Sequence, residues 1–498
     1  MNSPPVDTQR LPGPKVIMSK EFEQKAEAFH QELSREYYLA EAGLKEQLSI
    51  TPIYERYAHL FGEDVVRELL SLANDRRGRY VAEWVTLEYL ENLVKGVTED
   101  ISNAMRQATV EWEGEHVPYH NLRPMISNEP DMTRRHLLDQ LERELTASQN
   151  PHRKQRFRSL HDEARGLGFD NYLALCDQLR GLNLVSLTEQ ARILLDETRD
   201  VFFRRLERFL NSIEVPTERA GTPDVLYLFR GRTFDALFPK EAMIPALTTT
   251  LAGMGIDLAQ QENLELDLEP RPLKSARAFC VPIRIPEEVK LVIKPIGGPD
   301  DYASLLHEAG HAEHFVNVDP DLAFPFKRLG DNSVTEAYAF LFHYLPLNHH
   351  WLRRIVGIED GGAYIKLARF QRLWLLRRYS SKLLYELELH TNLDEAEQRY
   401  VHLLGDALGV AIGAENYLAD VDDAFYCAQY LRAWMLEVHL RRFLENRFGA
   451  EWFTSERAGD YLTSLWRQGQ KLRHEELTIS MGYDGLHSKY LVEELAST

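Results

Sequence analysis

The chain has 498 residues, 44% of them apolar, and a formal net charge of −19. That length can bury a large core and leaves room for roughly two to four domains. An acidic balance spread along the chain argues against nucleic acid or anionic membrane as a primary partner.

No run approaches the ~18 consecutive apolar residues of a membrane span. Cys176, Cys280 and Cys427 are too far apart for a disulfide framework or a metal-spaced cluster, and they read as reduced thiols of a cytoplasmic protein. Residues 1–20 carry four prolines and no apolar stretch of the signal-peptide kind, so a disordered tail is expected there.

Residues 21–215 read as an N-terminal helical lobe. Tyr37, Tyr54, Trp84 and Tyr89 recur at helical spacing within 20–115, as core anchors do. Breakers between Trp112 and Pro130 predict a connection, and a helix resumes over 131–148. The basic run from His152 to Arg158 is short and flanked by acidic residues, so it predicts a solvated helix start and not a phosphate site. Ser186-Leu-Thr-Glu189 opens a helix that the apolar spacing carries through Leu210.

Residues 216–498 form the second expected region, divided from the first by the breakers between Glu214 and Pro223. Strands are predicted at 264–268, 277–283 and 289–294, a small sheet directly before the most informative stretch. The edge of such a sheet could bind a peptide main chain by strand addition.

After the turn Pro295–Pro299, residues 301–316 carry a helical apolar period and the order His-Glu-x-x-His at His307, Glu308 and His311. Positions i and i+4 lie one above the other on a helix, so both imidazoles can reach one metal ion. Glu308 points about a quarter turn away, out of the ligand set but within reach of a water on that metal. A zinc-bound water whose pKa is lowered toward ~7, beside such a carboxylate, is a nucleophile for amide hydrolysis.

A tetrahedral zinc site needs a third protein ligand. The metzincin spacing would put Gly at 314 and His at 317, where the chain has His314 and Asn317. Glu336, on a helix predicted over 332–345, is the remaining candidate. Ser333-x-x-Glu336 is equally a capping box, in which Glu336 would only bond its own helix end. His314 and His343 each lie seven residues beyond a candidate ligand and read as support for the site or as core.

The run from His307 to His314, with Glu336 twenty-five residues after His311, resembles the zinc peptidase family of thimet oligopeptidase and oligoendopeptidase F. Aminopeptidase spacing would instead select Gly330, and angiotensin-converting-enzyme spacing falls near Thr335. The resemblance implies Glu336 as the third zinc ligand. It also implies a mainly α, two-lobed helical ellipsoid, with the small sheet beside a zincin-type active-site helix in a deep channel that admits short peptides.

Helices are predicted again over 363–390 and 417–445, with aromatic residues such as Phe370, Trp374, Tyr379, Tyr430 and Trp434 expected in packing. Near the C-terminus, Tyr483 and His487 could donate to the oxyanion of a tetrahedral intermediate. The loop Gly482-Tyr483-Asp484 with Tyr490 is similar to the family's substrate-binding loop. It departs from that pattern where the family's histidine would fall, near Thr478, and where His487 replaces a tyrosine.

The expected function is a zinc-dependent oligopeptidase that cuts internal bonds of short peptides, with Glu308 as general base. A metallocarboxypeptidase of similar helical fold and a silent peptide-binding homologue are the alternatives.

Overall fold

A computed structural model describes residues 19–496. Residues 1–18 of the expected tail lie outside the described residues. Ser19 caps the first helix, α1 (Lys20–Glu41), accepting from Phe22 N at 3.2 Å. The architecture is mainly helical with two small sheets, and among the described residues no helix is long and apolar enough to cross a membrane.

The first half follows the apolar periodicity, with two departures. α2 (Arg76–Gln107) is capped by Asp75 and buries Tyr80, Trp84 and Tyr89. Where a helix end and a connection are expected, β1 (Thr109–Trp112) and β2 (Glu115–Pro118) form a hairpin. Its two-residue turn, Glu113-Gly114, has φ of 55° and 85°, the mirror-image turn that matches the twist of paired strands.

Next come α3 (Tyr119–Asn128), α4 (Met132–Ser148), α5 (Asn150–Gly166) and α6 (Tyr172–Arg180). The helix expected to run through Leu210 is broken into α7 (Leu184–Glu197) and α8 (Arg199–Ser212). Arg377 donates to the Leu195 carbonyl at 2.6 Å and to Thr198 Oγ1 at 2.8 Å. The carbonyl that would have accepted from Arg199 is thereby engaged elsewhere.

In the second half, β3 (Leu264–Asp267), β4 (Phe279–Arg284) and β5 (Glu288–Val292) lie close to the predicted positions. The order is β3-β5-β4, with β5 parallel to β3 and antiparallel to β4, which leaves β4 at an edge. Pro282 sits in β4, next to a break in register, and an edge strand tolerates its missing donor.

The motif helix α9 (Pro299–Val316) follows. Asp301 lies inside its first turn, where its carboxylate accepts from the amides of Ile296 and Gly297. The next helix, α10 (Asn332–His343), is buried at every position from Ser333 to Phe342, as befits a central helix covered on all sides. Gly310 lets it come close to α9: a Cβ there would lie 2.6 Å from the Tyr338 carbonyl oxygen and 2.7 Å from the Ala339 Cα.

The remaining long elements are α11 (Gly362–Thr391), α12 (Ala396–Leu408) and α13 (Tyr426–Phe448), followed by α14 (His474–Ser480) and α15 (Lys489–Ala496). α13 begins nine residues later than the apolar spacing suggests, because Ala424 and Phe425 adopt φ of 48° and 57°. One continuous apolar cluster includes residues from Phe22 to Leu495.

The approach at Gly310 gives a test of this packing. Gly310→Ala is expected to cost about 1–3 kcal/mol, as overpacking does, and to lower the denaturant midpoint. An unchanged midpoint would show that α9 and α10 can separate there freely.

Candidate metal centre

His307 and His311 project from one face of α9, their ring centroids 5.0 Å apart. Both Nε2 atoms lie 3.5 Å from a single carboxylate oxygen, Glu336 Oε2. The capping alternative for Glu336 is not what the helix uses: Asp331 is the N-cap of α10 and accepts from Ser333 N, while Glu336 turns inward to the histidines.

Burial opposes the charge of Glu336, and the two imidazoles more than offset it, holding the carboxyl well below the usual carboxylate range. Among the described residues, Glu336 Oε2 has no hydrogen-bond donor in this buried setting. Zinc–ligand bonds of about 2.0–2.2 Å at a tetrahedral angle leave ligand atoms a little under 3.5 Å apart. The donor set, its spacing and the bare carboxylate oxygen therefore fit a zinc ion held by His307, His311 and Glu336.

Among the described residues, two other groups of candidate ligands do not fit as well. In Asp331, His474 and Glu475, the first two already bond each other at 2.5 Å. Beside Glu386, Asp422 and Cys427, the Lys382 ammonium lies 2.8 Å from Asp422 Oδ1 and already supplies the positive charge.

Partners of these candidate ligands come from three directions. Thr335 Oγ1 is 2.9 Å from His311 Nδ1, which fixes that ring from the residue directly before Glu336. The perpendicular ring of His343 packs on His307 with centroids 5.5 Å apart. Tyr426, the first residue of α13, donates its hydroxyl to Glu336 Oε1 at 2.7 Å. The two carboxylate oxygens of Glu336 thus have separate surroundings, one phenolic and one histidine-lined.

Glu308 lies on the adjoining face, half-buried. The backbone of Cys280 on β4 lies beside it, and burial pushes its carboxyl up from the ordinary value. Burial pushes the Tyr430 hydroxyl up, and nearby negative charge, that of Glu336 foremost, adds to the shift. Its ring rests against Tyr426 and Phe340.

Other candidates from the sequence lie elsewhere. His314 is buried against Phe315, Tyr338 and the backbone of Gly469, and makes no bond to His307 or His311; Thr335 meets the His311 ring instead. Tyr483 donates to the His439 carbonyl at 3.2 Å, and Tyr490 packs on the His439 ring. His487 is exposed and lies 3.3 Å from Asp484. His439 is thirteen residues beyond Tyr426 on α13, a distance of about 20 Å at 1.5 Å per residue. The structure therefore brings together His307, Glu308, His311 and Glu336, and does not bring Tyr483, His487 or Tyr490 to them.

Tyr426, Tyr430 and Thr335 were not singled out for the site from the sequence. The signals present were the four-residue spacing of the tyrosines on one helix face and the adjacency of Thr335 to Glu336.

No sequence-family model matches the chain, and no curated protein matches it by sequence. Solved structures match it over nearly its whole length. PZ peptidase A with a bound inhibitor aligns at TM-score 0.69 and 14% identity, covering 96% of this chain and 92% of that one. An oligoendopeptidase F aligns at TM-score 0.66 and 15% identity over 98% and 93%. A third structure, an oligoendopeptidase F from Bacillus anthracis, aligns at TM-score 0.60 and 14% identity over 96% and 85%. At such identities the likeness is one of architecture, and the chain carries the mainly helical fold of the oligoendopeptidase F and PZ peptidase structures.

Proposed function

We propose that the chain is a zinc-dependent oligopeptidase that hydrolyses internal bonds of short peptides. The observation that carries this reading is the convergence of His307 and His311 Nε2 on Glu336 Oε2, with Glu308 on the next face of the same helix. His307, His311 and Glu336 would hold the ion. When bound, zinc supplies Lewis acidity, polarising a carbonyl and lowering the pKa of water.

The protein's own groups account for the rest. Glu308, raised by burial beside the Cys280 backbone, takes a proton from the attacking water and returns it to the leaving amine. Tyr426 fixes the carboxylate of Glu336, and Thr335 fixes the ring of His311. Tyr430, one turn beyond Tyr426 and packed on the Phe340 ring that also meets His307, is assigned the donation to the oxygen that gains charge. This reading assigns that role to Tyr430 in place of Tyr483 or His487. β4 is an edge strand whose backbone already reaches Glu308, so a peptide can add to the sheet beside the general base.

The oligoendopeptidase names of the structural neighbours favour internal cleavage over trimming from one end. Mass spectrometry of a digested ten-residue peptide separates the two: internal fragments are expected, and a C-terminal ladder would assign a carboxypeptidase.

Glu308→Gln is expected to keep zinc, measured by metal analysis, while cleavage of a quenched-fluorescence peptide falls by several orders of magnitude. Turnover near the wild-type rate in that variant would remove Glu308 from the mechanism. Thr335→Val, which removes only the hydroxyl on His311, is expected to weaken zinc binding about 10- to 100-fold, read by competition with a chromophoric chelator.

A further inference from the structure

Tyr426 reaches Glu336 from an improbable backbone. Ala424 and Phe425, the two residues before it, have φ of 48° and 57°, and both are buried. Left-handed conformations are unfavourable for side chains other than glycine and persist only where surrounding contacts hold them. The contacts that hold this turn come from helices distant in sequence.

Arg180, the last residue of α6, donates Nη1 to the Ala424 carbonyl at 2.6 Å. Its guanidinium lies 5.9 Å from the Tyr426 ring centre, and its Nε is 3.2 Å from Glu83 on α2. The side chains of Arg180 and Glu83 are only 5% and 12% exposed. The backbone of Ala424 also lies beside the hydroxyl of Tyr172, the first residue of α6. One residue earlier, Arg156 of α5 clamps the Asp423 carboxylate with bonds of 2.7 and 3.1 Å. Helix α6 thus holds the Ala424 carbonyl from its last residue and meets the same backbone with its first.

We propose that Arg180 is a positioning residue for the metal centre: with Glu83 behind it, it locks the left-handed turn that presents the Tyr426 hydroxyl to Glu336. The N-terminal helices thereby take part in setting the ligand geometry, although none of them carries a candidate ligand. This inference rests on the zinc reading above, and its test separates the two.

Zinc affinity is measured by chelator competition on the full chain, with thermal unfolding of the metal-free protein alongside as a check of folding. Tyr426→Phe is expected to weaken zinc binding by about 10- to 100-fold, the usual effect of losing a partner of a ligand. Arg180→Met combined with Glu83→Gln removes both charges together, so no carboxylate is stranded, and is expected to weaken zinc binding in the same direction.

Adding Tyr426→Phe to that pair should bring no further loss beyond that of Tyr426→Phe alone, because both act through one hydroxyl. Ala424→Gly, which makes the left-handed conformation accessible without the clamp, should restore part of the affinity lost in the Arg180→Met, Glu83→Gln protein. Wild-type affinity in the paired variant would overturn the inference, as would losses that multiply with Tyr426→Phe. A wild-type chain that takes up no zinc would overturn the metal reading, and this inference with it.

Discussion

A carboxylate with almost no access to water is the constraint around which the centre of this protein is arranged. Glu336 is 3% exposed on a helix buried on all sides, where an isolated charge would be prohibitively costly. Its charge is retained because two imidazoles and a phenol face it, one oxygen toward the histidines and the other toward Tyr426. Each of those partners imposes a structural requirement. The histidines require α9 to lie close against α10, which Gly310 permits. The phenol requires α13 to start at Tyr426, which the left-handed turn enforces.

The start of α10 is held in a similar way. Asp331 caps the helix and accepts from both the ring and the backbone of His474, which ties α14 near the C-terminus to the turn that carries Glu336. Burial disfavours each charge, and each is stabilised by the other: Asp331 is held well below the ordinary carboxylate range and His474 is raised. The first turn of α10 is therefore fixed from the C-terminal side by His474, while the tyrosine that meets its glutamate is fixed from the N-terminal side by α6.

What was legible in the sequence is what depends on local spacing. Two histidines four residues apart share a helix face whatever surrounds them, and three short runs of alternating or apolar residues bounded by breakers predicted the sheet within a few residues. The pattern at Glu336 suits a cap and an inward-facing carboxylate alike, and only tertiary structure turns it toward His307 and His311. Arg377 breaking the helix at Thr198 and Arg180 holding Ala424 are likewise contacts between residues about 180 or 240 positions apart, and no periodicity reports them. The loop around Tyr483 shows the opposite hazard. A residue pattern that suited the chemistry was present, but the fold carries it to His439, far along α13 from the glutamate.

The same distinction explains how a fold can be shared at 14–15% identity when no sequence-family model matches. Helix packing demands volume and pattern more than particular residues, so most positions can change type while the arrangement of helices persists. The demands that are specific fall on a few atoms: two ring nitrogens, one carboxylate, a glycine without a side chain, a threonine hydroxyl and a phenol. Several of these act across helices that sequence reading assigns only to bulk packing. In such a protein the N-terminal helices are more than a cover for the site, because the turn they grip decides where the hydroxyl meeting the buried carboxylate can stand.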